Sequence, residues 1–245
     1  MDLTGRTILI TGSNRGIGRA LVDAALAAGA GKAYAAARTP VAIDDPRVAP
    51  IALDVTDHAA IARLADELVD VDVVINNAGV ANLQPAGAAD LDVARRELEV
   101  NYLGLAAMVQ AFAPVLAARG GGAVVNILSV AAWIGSPALS TYAASKSAAW
   151  AFTNQARVVL ADQGTQVTAA FFGYVDTDLT AGLDVDKLSP AEVAAAIIAG
   201  VTAGEDEVIV DEQSRAVKAA LPDDQRLLYP MVAEQYRAAR AAAHA

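Results

Sequence analysis

Seven short apolar runs, each separated from the next by a longer segment, constrain this chain more than any other feature. The runs lie at 7–10, 33–37, 48–53, 71–75, 123–128, 167–172 and 208–210. Between them stand alanine-rich stretches with helical periodicity at 16–28, 57–69, 91–118, 141–161 and 190–202. A short apolar run without alternation suits a strand buried on both faces, and strands that alternate with helices build a parallel sheet through right-handed crossovers. The spacing therefore predicts an α/β fold, a doubly wound parallel sheet of about seven strands with helices on both faces. The 245 residues show no internal repeat, no low-complexity linker and no composition shift, so a single domain over 1–245 is expected.

Composition removes several function classes. With 18 Lys+Arg against 28 Asp+Glu the net charge is −10, which argues against nucleic acid as a partner because phosphate-backbone affinity rests on clustered cations. The absence of cysteine excludes disulfides, thiolate metal sites and cysteine nucleophiles, and fits a reducing compartment, so a cytoplasmic location is expected. No metal-ligand cluster is visible; the paired acids Asp44-Asp45 and Asp223-Asp224 stand beside prolines in loop-like contexts. Met1–Arg6 lacks a basic region followed by an apolar run, and no uninterrupted apolar stretch approaches the ~20 residues of a membrane span, so no membrane association is expected.

Directly after the first run comes Thr11-Gly12-Ser13-Asn14-Arg15-Gly16-Ile17-Gly18, opening the first helix. Glycines let the backbone turn tightly and approach a pyrophosphate, and the free N–H groups and dipole of the helix start favour its charge. The spacing Gly12, Gly16, Gly18 departs from the general dinucleotide fingerprint. About 20 residues beyond such a loop an NAD-preferring site offers an acid to the ribose. Here the second strand instead ends in Arg38, a cation able to hold a 2′-phosphate through a forked contact, and Arg15 can reach the same group. The pair favours NADP(H) over NAD(H); two solvated surface arginines are the plain alternative.

Tyr142 and Lys146 stand at i and i+4, so a helix sets them on one face. A phenol near pKa 10 is a poor acid/base at neutral pH, and a neighbouring ammonium is expected to lower it towards the working range. Tyr142 would then protonate a carbonyl oxygen in reduction or take an alcohol proton in oxidation, with Ser129 hydrogen-bonded to the same oxygen. A surface Tyr–Lys pair and a turn-capping serine are the simpler alternatives for each alone.

These residues, in the order Thr11-Gly12-x-x-x-Gly16-x-Gly18, Asn76-Asn77-Ala78-Gly79, Asn101, Ser129 and Tyr142-x-x-x-Lys146, resemble the short-chain dehydrogenase/reductase family over roughly residues 5–180. The resemblance implies a Rossmann fold with a cofactor half at about 1–128 and a catalytic and substrate half at about 129–245. It further implies that Lys146 binds the nicotinamide ribose and that Asn101 orders a water linking the lysine to solvent. Asp54 and Val55 match the family's adenine contacts, and Asn77, Ala78 and Gly79 the stretch beside the adenosine. All five follow strand C-terminal ends, where open α/β sheets bind ligands.

The chain departs from the family after the sixth strand, where Phe172-Gly173-Tyr174-Val175-Asp176-Thr177 puts Phe172 in the place of a usual proline. Val175 and Thr177 are kept as expected contacts of the nicotinamide carboxamide. The Phe172 ring must be packed somewhere, with cofactor or substrate among its candidates. Trp133, Ile134, Leu139, Tyr174 and Leu179 would line a mostly apolar substrate pocket suited to a hydrophobic ketone or aldehyde. The chain also lacks the family's common Asp-Gly-Gly after the seventh strand, which leaves open whether it forms a homodimer or homotetramer. The tail 222–245 has helical spacing suited to its own subunit, a dimer contact or a pocket cover. The expected activity is an NADPH-dependent carbonyl reductase, reversible as an alcohol dehydrogenase. A cofactor-binding sensor and an isomerase or epimerase of the same family are the alternatives. A serine hydrolase is disfavoured, since only His58 and His244 could complete a triad.

Overall fold

The structure, a computed structural model, describes residues 1–243. Strands β1 (Thr7–Thr11), β2 (Lys32–Ala37), β3 (Val48–Ala52), β4 (Val73–Asn76), β5 (Gly122–Ile127), β6 (Thr165–Phe171) and β7 (Glu207–Ile209) form one sheet. Its order is β3-β2-β1-β4-β5-β6-β7, and every pairing is parallel. The chain winds outward from β1 to β3 and then crosses back to start again at β4. The C-terminal ends of β1 and β4 therefore diverge into a crevice, the place where such sheets take ligands.

Both faces of the sheet are covered, which explains the unbroken apolar runs. Leu9, Val74, Val124 and Phe171 point to one side, against α2 (His58–Glu67), α4 (Leu105–Ala118) and α5 (Ser140–Ala161). Ile8, Ile10, Ile75 and Val125 point to the other, against α1 (Gly16–Ala27) and α6 (Pro190–Ala203). β3, at the edge, has no fully buried residue, and it tolerates the exposed Pro50 in a ladder position that a central strand would reject.

The stretch expected as one helix over 91–118 is helical throughout but not uniformly α. It runs as α3 (Leu91–Leu98), a π turn at Glu99–Gly104, and α4. Gly104 lets this turn lie on the backbone after β3, where an added Cβ would come 2.7 Å from the Val55 carbonyl oxygen. By length and composition Leu91–Ala118 is long and apolar enough to cross a membrane; here it packs on the sheet with 50% of its apolar window buried.

The tail folds as α7 (Glu212–Ala220), a 3₁₀ turn at Leu221–Asp223, α8 (Asp224–Leu227) and α9 (Tyr229–Ala243). Leu228 is buried and anchors it, while Leu227 and Met231 are exposed. His244, one of the two histidines, lies outside the described residues.

Candidate active site

The glycine loop is built by close approach. Gly12 and Gly16 adopt φ of +67° and +53°, which L side chains rarely take. An added Cβ at Gly18 would lie 2.1 Å from the Gly12 carbonyl oxygen, so only glycine lets α1 begin this close to β1. The loop is stitched to the end of β4: the Thr11 hydroxyl accepts from the N–H groups of Asn77 (3.0 Å) and Ala78 (3.1 Å). In return the Asn77 amide donates to the carbonyls of Thr11 (2.9 Å) and Gly12 (3.1 Å). Arg15 caps α1 with extended backbone and no side-chain hydrogen bond, leaving the first N–H groups of the helix unclaimed by a capping side chain.

Above the loop opens a cleft of about 1080 Å³. The structure brings Gly12, Asn14, Arg15, Gly16, Ile17, Gly18, Arg38, Asp54, Val55, Asn77, Ala78, Gly79 and Thr177 to its walls. Two of the expected contacts, Ser13 and Val175, are not among the residues on its walls. Ser13 is buried, and both its N–H (3.2 Å) and its hydroxyl (3.1 Å) donate to the Ala36 carbonyl, so it ties the loop to β2 instead of facing the cleft. Val175 has its side chain in the α1/α6 core, and its carbonyl accepts from the hydroxyl of Thr180.

The cleft also contains residues that the sequence reading missed. Arg19 stands one turn after Arg15, a signal that helical spacing offered, and Arg96 comes from α3. Arg15 does not join Arg38 but pairs with Asp178 at 2.5 Å, with both side chains exposed. Asp54 is held below the ordinary carboxylate range, first by the Thr56 N–H; burial opposes this, and the charges of Arg38 and Arg96 add to it.

Behind Gly79 lies the second cluster. An added Cβ at Gly79 would come 3.3 Å from Asn101 Oδ1 and 3.8 Å from Lys146 Nζ, so a bare backbone separates the cleft from both. Lys146, buried on α5, donates to the Ile127 carbonyl at 2.8 Å and lies 5.9 Å from the centre of the Tyr142 ring. Ser129 caps a short turn by accepting from the Ala131 N–H at 3.1 Å, which leaves its own O–H free to donate. Asn101, in the π turn, accepts from the Val80 N–H (2.9 Å) and donates to the Val80 carbonyl (2.8 Å) and the Ser145 hydroxyl (2.9 Å).

Burial sets the protonation of this cluster, and it corrects the expected effect of the ammonium. The Tyr142 phenol is pushed up to about 12, chiefly by burial; hydrogen bonding with Ser129 opposes the rise and the charge of Glu97 adds to it. Burial pulls the Lys146 ammonium down to about 8. Tyr142 is thus a phenol at neutral pH, in the form that donates a proton.

The expected substrate wall is only partly assembled. Trp133 is core: it stacks on Phe171 at 4.0 Å, meets Trp150 edge-on at 6.4 Å, and carries Lys218 Nζ 4.7 Å above its ring. Phe172 is core as well, in the α1/α6 cluster, with its carbonyl accepting from Val130 N–H at 3.1 Å. Ile134 and Leu139 are half-buried, Tyr174 and Leu179 exposed, and of these Leu179 borders the cleft. His58 pairs with Glu99 at 3.3 Å, which supplies no triad partner to Ser129.

A doubly wound sheet with a glycine loop at its switch point and a Ser–Tyr–Lys cluster beside it defines a nicotinamide-dependent oxidoreductase. Residues 6–187 match the family described as short chain dehydrogenase, and the chain belongs to the short-chain dehydrogenase/reductase family. It is 38% identical over 194 residues to a sorbitol dehydrogenase of Cereibacter sphaeroides, covering 75% of this chain and 76% of that one. To a galactitol 2-dehydrogenase of Agrobacterium fabrum it is 30% identical over 243 residues, 93% and 95% of the two chains. A short chain dehydrogenase from Burkholderia cenocepacia, solved in complex with NADP, superposes with a TM-score of 0.89 at 35% identity over 95% of this chain and 99% of that one. The chain is an NAD(P)(H)-dependent oxidoreductase.

Proposed function

We propose that this enzyme reduces an apolar ketone or aldehyde with NADPH, and oxidises the corresponding alcohol in reverse. The observation that carries the reading is the half-buried Tyr142 phenol, with Lys146 Nζ 5.9 Å from its ring centre and the Ser129 hydroxyl among the groups that act on it. When bound, the nicotinamide supplies the hydride. Tyr142 gives its phenolic proton to the carbonyl oxygen, while the Ser129 O–H donates to that oxygen and holds it in line. Lys146, close to Gly79 on the cleft wall, serves the nicotinamide ribose and stabilises the phenolate left by the proton transfer. Asn101 fixes the wall on which these groups act, and on the family resemblance it orders the water that returns the proton.

The cleft fits a dinucleotide phosphate: it has glycine backbone at the close approach, an α1 start whose cap uses no side chain, and no acid at the end of β2. Arg38 lies on the wall as a cation for a 2′-phosphate, and the relative from Burkholderia cenocepacia was solved in complex with NADP. Leu179, on the cleft wall, supports an apolar substrate. The relatives named for sorbitol and galactitol place polyols and ketoses in the trial panel beside ketones and aldehydes. Loss of reduced-nicotinamide absorbance, followed with NADPH and NADH in parallel, tests the reading. Turnover favouring NADPH supports it, and Arg38→Asp should weaken NADPH at least ~10-fold more than NADH by loss of a charge-assisted contact. Equal weakening of both removes that role from Arg38. Tight NADPH binding without turnover on any substrate would favour a sensor or an isomerase.

A further inference from the structure

Glu97, on α3, is 0% exposed, and no step above uses it. A carboxylate is costly to bury, and this one is only half satisfied. Its Oε1 accepts from the Asn82 N–H (2.7 Å) and the Asn82 side-chain amide (3.2 Å), while its Oε2 is buried without a partner. Glu97 stands one turn before Asn101 on the same continuous helix. The two side chains grip one short segment at alternate residues, Asn101 at Val80 and Glu97 at Asn82. That segment follows directly on Asn77–Gly79 of the cleft wall. Across the same interface α3 packs on α5, and Asn101 reaches Ser145, whose hydroxyl donates to the Tyr142 carbonyl at 2.7 Å.

We propose that Glu97 is a positioning residue of this site: its carboxylate fixes the Val80–Asn82 wall and sets the pH window in which Tyr142 hands on its proton. The inference rests on Tyr142 as the acid of the proposed reaction. Glu97 lies on the face of α3 that, one turn on at Asn101, meets Ser145 of α5, so its charge acts on Tyr142 across the α3–α5 contact; Lys146 acts from the same helix as Tyr142, and Ser129 from the end of β5. Lys146 is the group that favours phenolate. Glu97 opposes it, because a second negative charge in a poorly solvated place disfavours ionisation of the phenol. Carbonyl reduction uses the phenol and alcohol oxidation the phenolate. Glu97 therefore extends reduction to higher pH and confines oxidation to alkaline solution.

The test compares pH profiles of kcat/KM in both directions for wild type, Glu97→Gln and Glu97→Asp. Gln keeps the shape and an oxygen for the Asn82 N–H but removes the charge. The alkaline limb of reduction and the rising limb of oxidation should both move to lower pH by roughly one unit. Asp keeps the charge with a shorter reach, so its limbs should stay near those of wild type while KM or kcat suffers. If Gln lowers activity with unmoved limbs, Glu97 is a brace and the inference falls; if Gln does not fold, displaced limbs in Asp overturn it equally. Tyrosinate absorbance, titrated with and without Tyr142→Phe in the wild-type and Glu97→Gln backgrounds, reads the same ionisation without turnover. An unshifted Tyr142 titration defeats the role of Glu97 alone, whereas normal turnover in Tyr142→Phe defeats the proton-donor reading and leaves the titration to judge Glu97.

Discussion

Gly18 shows what a single residue decides in this protein. The nearest backbone to its missing Cβ is the Gly12 carbonyl oxygen, at 2.1 Å, and backbone cannot swing aside as a flexible side chain can. Gly18→Ala should therefore push α1 away from β1, costing about 1–3 kcal/mol of stability by overpacking and weakening NADPH by at least ~10-fold. Urea unfolding and cofactor titration check both, and unchanged affinity would show that the loop has slack. This constraint was legible in the sequence, since the glycine spacing after an apolar run has few other uses. Side-chain direction was not. Ser13 sits inside the phosphate loop yet turns inward to Ala36, and Trp133 follows the serine yet stacks on Phe171. In irregular turns no period relates neighbouring residues to faces, so adjacency in sequence did not separate lining from core. The protonation of Tyr142 has a related cause: i, i+4 spacing brings an ammonium near, but the phenol is pushed up chiefly by burial, which the sequence does not display.

At the scale of elements, the strands and helices followed their periodicity, and the differences are informative. A π turn interrupts the long helix at Asn101, and helical spacing alone carries no sign of it; Gly104 against Val55 is its local mark. The loop after β6 lacks the family's proline, and the structure shows what steadies it. Phe172 is buried in the core, and the Gly173 N–H donates to Asp211 at 2.9 Å. Asp211 at the same time caps α7 through the Ser214 N–H at 2.7 Å. Asp211→Ala should thus cost about 1–2 kcal/mol, as a lost helix cap does, and also raise KM by loosening the loop that carries Thr177. Unfolding midpoints and steady-state kinetics measure the two effects; a stability loss with unchanged KM would separate the cap from the loop.

The molecule as a whole divides its two ends between chemistry and anchorage. The site occupies the C-terminal ends of the strands, and the opposite end is tied by Asp72, buried just before β4. Its carboxylate accepts from the Thr7 N–H (2.9 Å), Arg119 (2.8 Å) and Arg6 (3.2 Å). Burial raises its pKa, but Arg119, the Thr7 N–H and Arg6 outweigh that and hold it below the ordinary value. A folded pKa below the unfolded one stabilises the fold above the unfolded value of about 3.9, and that stability is lost as pH falls through the folded value. Asp72→Asn should cost about 1–2 kcal/mol at neutral pH, discounted because its arginines are 42% and 37% exposed, and less below pH ~4. Urea midpoints across pH check this, and an equal loss at every pH would contradict it.

The most direct test of the central claim, that Tyr142 is the proton donor of a nicotinamide-dependent reductase, is Tyr142→Phe assayed beside wild type for NADPH binding and for turnover. The ring and its packing remain, and only the hydroxyl goes. Binding within a few-fold of wild type with turnover lower by ~10³-fold or more is the predicted result. Near-normal turnover in the variant would contradict it.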